Sequence, residues 1–177
     1  MAAVFAYGSL VAPSTIAALG RDRGRARLTG WSRSWNVCTD NTADGPVVYE
    51  QADGTRPPIQ VLFLTIEPGD RDAGPATVEG VLIELPDEGL PALDAREGNY
   101  RRIVVDVDGF GRAWTYVARP HSAERARRGI AAGTARIRRD YLDTVVAAFG
   151  RYEGMPAPGQ LPAPVVDLRR VVRPRRP

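Results

Sequence analysis

The sequence contains no lysine, a single cysteine, Cys38, and a single histidine, His121. One cysteine excludes an intramolecular disulfide and leaves a thiolate zinc site without its second sulfur. With one histidine, a Ser-His-Asp or Cys-His nucleophile system would hang on that imidazole alone, so carboxylate chemistry is the expected kind if the chain is an enzyme. No apolar run reaches the roughly 18 residues of a membrane span. The start, Met1-Ala2-Ala3-Val4-Phe5-Ala6, lacks the basic residues of a signal sequence. A cytoplasmic protein without membrane contact is expected. Because all 24 basic residues are arginine, the preference reads first as a codon bias, and arginine runs carry little weight by themselves. The net charge of +3 is modest. Its excess sits at the end, in Arg169-Arg170 and Arg173-Pro174-Arg175-Arg176-Pro177, which reads as a solvated tail rather than a nucleic-acid contact.

What is present is an ordinary globular composition, 44% hydrophobic and 25% charged over 177 residues, enough for one domain with a sizeable core. Val4 to Tyr7 reads as a short strand cut by Gly8, and Pro13 to Gly20 as a short helix with proline in its first turn and glycine at its stop. Ala26 to Trp35 reads as a strand or bent hairpin arm, and Cys38 to Arg56 as mostly loop. Two strong strands, Ile59–Ile66 and Thr77–Leu85, flank a Pro/Gly/Asp-rich turn. A short helix from Asp87 to Arg96 then leads to a strand, Arg101–Val107, and a hairpin through Gly109-Phe110-Gly111 into Ala113–Ala118. Past Pro120 the pattern is helical, with Ile137, Tyr141, Val145 and Phe149 in one stripe and Gly150 at its end. The Pro-rich remainder is expected to wrap the surface. The whole reads as α+β, a small mixed β-barrel-like sheet with a few flanking helices. The expected organisation is a core over residues 1–120, a helical segment over 121–150 and a Pro/Arg-rich tail over 151–177.

Two segments carry the chemistry. Tyr7-Gly8-Ser9-Leu10, at the end of the first strand, can present successive backbone N–H groups to a small polar ligand, with Gly8 allowing close approach. Taken alone, it reads first as a plain strand-to-loop turn with Tyr7 as a core aromatic. In Leu93-Asp94-Ala95-Arg96-Glu97-Gly98-Asn99-Tyr100-Arg101, Glu97 stands between a helix and a strand. Its plain alternative is a surface carboxylate paired with Arg96, Arg101 or Arg102.

Together the two segments resemble the γ-glutamylcyclotransferase superfamily, in both its AIG2-like and ChaC-like branches. Its members carry Tyr-Gly-Ser/Thr-x after the first strand and, further on, Leu-Asp-x-x-Glu followed closely by tyrosine and a basic residue. The Trp114-Thr115-Tyr116 strand resembles the family's later strand, which brings an aromatic into the pocket, so the likeness spans roughly residues 3–118. It implies a cavity between the motifs and a reaction in which the α-amine of a γ-glutamyl amine or peptide attacks its own γ-carbonyl, releasing 5-oxoproline. Glu97 would be the general acid/base. Gly8, Ser9 and Leu10 would hold the carboxylate or oxyanion by their N–H groups. Tyr7, Tyr100 and Tyr116 would line the pocket or donate from their hydroxyls. No cofactor or metal is implied, and the partner is a small γ-glutamyl molecule. Leu10 departs from members with asparagine there, which bears on the choice of substrate. The same barrel used as a non-catalytic metabolite- or partner-binding module is the alternative, and either a monomer or a homodimer fits.

Overall fold

A computed structural model describes residues 1–69 and 76–173. The centre of the turn between the two strong strands and the last four residues of the basic tail lie outside that range. The strands in chain order are β1 (Ala2–Ala6), β2 (Arg21–Thr29), β3 (Trp31–Asp40), β4 (Val47–Glu50), β5 (Gln60–Pro68), β6 (Thr77–Leu85), β7 (Tyr100–Val107), β8 (Gly111–Ala118), β9 (Ala135–Arg138), β10 (Val165–Val166) and β11 (Arg169–Val172). The helices are α1 (Pro13–Leu19), α2 (Leu90–Arg96), α3 (Pro120–Ala131) and α4 (Arg139–Phe149).

One sheet has the order β2-β6-β1-β8-β7 and a second the order β10-β9-β5-β3, while β4 pairs with β11 apart from both. The first strand is apolar because it runs through the middle of its sheet, antiparallel to β6 and parallel to β8. Val4, Phe5 and Ala6 are wholly buried there. Burying an aromatic or branched side chain of this kind contributes about 1.5–3 kcal/mol. Side-chain bonds join the two sheets: Ala118 N–H donates to Thr65 Oγ1 at 3.0 Å, the Tyr100 hydroxyl to the Leu64 carbonyl at 2.8 Å, and Arg33 Nη2 to the Glu79 carbonyl at 2.6 Å. The result is a mixed α+β fold, barrel-like in enclosing one core but without a continuous ladder around it.

Gly80 on β6 sets where β1 ends. A Cβ there would lie 2.4 Å from the Ala6 carbonyl oxygen and 2.6 Å from the Phe5 ring. Only glycine lets the strands approach closely enough to fix the exit of Tyr7 and Gly8.

Three sequence expectations change. The stretch from Cys38 to Arg56 is less of a loop than its Asp, Asn, Thr and Gly content implies, since β3 runs on to Asp40 and β4 forms against β11. Asn41 anchors the bend by exchanging bonds with the Tyr49 backbone, both at 2.8 Å. The helical stripe past Pro120 is really two helices, because Gly133, at φ +70°, ends α3 and β9 then pairs in parallel with β5. Ile137 belongs to that strand, while Tyr141, Val145 and Phe149 share α4. Finally, two pieces of the Pro-rich remainder are strands, β10 on β9 and β11 on β4.

Candidate functional site

Tyr7, Gly8, Ser9 and Leu10 leave β1 into a single 3-10 turn over Ser9–Val11, closed by Val11 N–H to the Gly8 carbonyl at 3.0 Å. The N–H groups of Gly8, Ser9 and Leu10 meet no acceptor among the described residues. Glu97 caps the C-terminus of α2, its own N–H bonded to the Leu93 carbonyl and its carbonyl accepting from Tyr100 N–H at 2.8 Å. The helix stops there and the chain turns into β7, so the carboxylate swings inward rather than along a helix face.

The fold brings all seven sequence-derived residues together. Tyr7, Gly8, Ser9, Leu10, Glu97, Tyr100 and Tyr116 line one recess, joined by Leu64 and Tyr141. The recess holds about 20 Å³, roughly what one water occupies. Ser9, Glu97, Tyr100 and Tyr141 also border an adjacent cleft of about 780 Å³. Tyr141 and Leu64 were not placed in the site by sequence. Tyr141 reads as one more member of an apolar stripe, and nothing in its spacing sets it apart from a core aromatic.

The Glu97 side chain is 14% exposed. Burial raises its carboxyl above the ordinary value of 4.5, and the Arg96 guanidinium, 3.4 Å away, opposes that shift without cancelling it. Arg102, another candidate partner from sequence, instead lies 3.4 Å from Asp94 and stacks 4.6 Å over the Trp114 ring. Arg101 pairs with no carboxylate among the described residues.

The phenols around Glu97 are tied down. Tyr7 donates to the Tyr116 carbonyl, Tyr100 to the Leu64 carbonyl at 2.8 Å, and Tyr116 to Asp94 Oδ1 at 2.8 Å. Burial pushes all three hydroxyls above their usual range, so they remain protonated at neutral pH. They therefore act as rigid walls, with their protons already committed. Tyr141 is held by Leu64 N–H, which donates to its hydroxyl at 3.3 Å. The recess thus holds one carboxylate of raised affinity for a proton and is lined by a short run of residues with unused backbone donors. That combination suits moving a proton beside a developing oxyanion.

Other chemistry has little to work with. Cys38 is buried, its Sγ 3.7 Å from the Ser122 carbonyl oxygen, and burial pushes its thiol up to about 11. Among the described residues no group of three or more His, Cys, Asp or Glu side chains is placed to hold a metal, and no helix is long and apolar enough to cross a membrane.

Comparison with known proteins follows the same lines. A family model described as gamma-glutamyl cyclotransferase, AIG2-like, matches residues 4–134. No curated protein matches the sequence. Among solved structures, a gamma-glutamyl cyclotransferase is 20% identical with a TM-score of 0.46, over 67% of this chain and 66% of that one. A yeast gamma glutamyl cyclotransferase described as specific to glutathione is 15% identical, TM-score 0.47, over 66% of this chain and 68% of its own. YkqA from Bacillus subtilis is 22% identical, TM-score 0.44, over 74% of this chain and 48% of its own. The chain therefore spans less than two thirds of the first of these and about half of YkqA.

Proposed function

This chain belongs to the AIG2-like γ-glutamyl cyclotransferase family, and on that premise we propose that it cyclises a γ-glutamyl amine or peptide to 5-oxoproline and releases the acylated amine. The observation that carries the proposal is the buried Glu97 carboxylate in the same recess as the unused N–H groups of Gly8, Ser9 and Leu10.

A recess of this size admits carboxylate or carbonyl oxygens, and the body of the substrate lies in the adjoining cleft. Glu97, in its ionised form, takes a proton from the substrate's α-ammonium. The freed nitrogen attacks the γ-carbonyl carbon, a ring C–N bond forms, and the carbonyl oxygen becomes an oxyanion held by backbone donors. Glu97 then gives its proton to the departing nitrogen as the old amide bond breaks. The ring nitrogen's remaining excess proton passes to solvent, and the released amine ends as an ammonium. Nucleophile and electrophile belong to one molecule, so most of the barrier is lowered by folding the substrate into a reactive shape, for which effective molarities are large.

The test is 5-oxoproline release from a panel containing glutathione, γ-glutamyl amino acids and γ-glutamyl-ε-lysine, with Glu97→Gln alongside. Release by the native protein alone supports the reaction and its base. Release by both overturns the role of Glu97, and release by neither leaves the binding module as the better description.

A further inference from the structure

The cleft outside the recess is not featureless. From Tyr141 at the recess, aromatic rings step outward along one wall: Tyr141 to Phe63 edge-on at 4.9 Å, then Phe63 to Tyr49 at 6.5 Å. The Arg138 guanidinium lies 4.8 Å over the Tyr49 ring at the far end. Across the β4–β11 ladder, Arg170 stands opposite Tyr49. Glu97, Arg138 and Arg170 border the same cavity.

Arg138 is an expensive residue to place there. It is 8% exposed, and only its Nη2 is bonded, to Asp140; its buried Nε has no partner. A buried N–H left unmet costs about 1–3 kcal/mol, and such groups in native proteins usually have a reason. Arg170 pairs with no carboxylate among the described residues, unlike its neighbour Arg169, which bonds Glu50 at 2.9 Å. Besides Glu97, two acids line the cleft, Asp40 and Asp44. Asp40 accepts from the Thr42 backbone and hydroxyl and from Gln60, and Asp44 lies 3.9 Å from Arg56. Arg138 and Arg170 fall beyond residue 134, where the family match ends, whereas the Tyr49 and Phe63 rings of this wall lie within it.

We infer that the outer cleft is a subsite for the released amine, and that this amine ends in an anionic group, a carboxylate, held by Arg138 and Arg170. The inference rests on the cyclotransferase reading for its orientation, with the glutamyl end at Glu97. The ring-to-ring span fits a leaving group of two to three residues, at roughly 3.3–3.6 Å each when extended. Guanidinium groups suit a planar carboxylate because they donate to both oxygens at once.

The experiment uses γ-Glu-Ala-Gly and its C-terminal amide, which differ only in the terminal charge. Binding of both to the Glu97→Gln protein is measured by calorimetry, and 5-oxoproline release from both is measured with the native protein and with Arg170→Met, Arg138→Gln and Arg138→Lys. The free acid should bind about tenfold or more tighter than the amide, as expected for a hydrogen bond to a charged group. That preference should shrink in Arg170→Met, vanish in Arg138→Gln and partly return in Arg138→Lys. Should Arg138→Gln fail to fold, the exposed Arg170→Met and the conservative lysine decide. Equal binding of acid and amide, binding of neither, or a preference untouched by the arginine changes overturns the subsite. Preferential binding without any 5-oxoproline release leaves the subsite standing and removes the cyclotransferase reading; release without preference does the reverse.

Discussion

The inner recess and the outer cleft are adjacent spaces built on opposite principles. In the recess every phenol is fixed by a bond to backbone or carboxylate, and one acid is deprived of water. In the cleft the walls come from β3, β4, β5, the turn after α2, β9, the start of α4 and β11, and there Arg170 pairs with no carboxylate among the described residues while Arg138 is bonded through Nη2 alone. Tight satisfaction leaves nothing to adapt, which suits a chemical step that demands fixed geometry. Spare donors suit recognition, where the missing partner arrives with the ligand. The contrast predicts that changes in the recess act on turnover and changes in the cleft act on affinity.

The most severe way to probe that contrast is Glu97→Gln. If Glu97 carries the proton as proposed, its loss should lower 5-oxoproline release by about 10²–10⁴-fold, while circular dichroism shows the fold intact. Stability should move the other way. Burial holds the Glu97 carboxyl above 4.5 in the folded protein, so its contribution to stability is complete below the ordinary value and is lost as pH rises through the raised one. Glutamine escapes that loss. The variant should therefore melt higher than the native protein at pH 8, with the gap closing near pH 4. On the proposed mechanism turnover needs the ionised form, so the acid limb of the native kcat/KM profile should lie above 4.5. An acid limb at or below that value would show that Glu97 is not the base.

Gly8→Ala ranks second. An added Cβ would sit 3.6 Å from the Tyr141 hydroxyl and 3.7 Å from Leu64 Cβ, distances of ordinary contact, so the protein should fold. The methyl would nevertheless occupy most of a recess that holds about 20 Å³. KM measured by 5-oxoproline release should rise about tenfold or more, the scale of a lost charged hydrogen bond. Unchanged KM would place the glutamyl group elsewhere in the cleft.

Tyr116→Phe should act more weakly. It removes the bond to Asp94 and leaves that carboxylate with Arg102 alone at 3.4 Å. Urea unfolding should report a loss of about 0.5–1.5 kcal/mol, and turnover should fall only as far as the ring drifts. A loss of turnover as large as that of Glu97→Gln would make the Tyr116 hydroxyl a participant rather than a support.

The same division explains what the sequence disclosed. The recess is written in two short segments because each of its walls follows a local rule: Gly8 ends a strand, and Glu97 ends α2. The residues that complete it, Leu64 and Tyr141, come from β5 and α4 and look like any buried Leu or Tyr. The two strands Ile59–Ile66 and Thr77–Leu85, which lie in different sheets, were legible from composition alone, since both are enclosed. β9 was hidden because Ile137 fell by coincidence at helical spacing from Tyr141. β4 and β11 were hidden because each is only four residues long and is stable through its partner about 120 positions away, a pairing no local pattern records. For this reason the arginines of the cleft looked like codon bias and tail.

The mildest prediction separates two neighbouring arginines on one strand. Arg169 bonds Glu50 across the β4–β11 ladder at 2.9 Å, with its own side chain 66% exposed; Arg170, one position on, faces the cleft. An exposed ion pair is worth about 0–1 kcal/mol and is screened by salt. Arg169→Ala should therefore lower stability by no more than that, less still in high salt, and should leave KM for an acid-terminated peptide unchanged. Because successive residues of a strand point to opposite faces, the two arginines should be functionally independent. A KM shift in Arg169→Ala equal to that in Arg170→Met would mean that the strand pairing itself, rather than the Arg170 guanidinium, shapes the cleft.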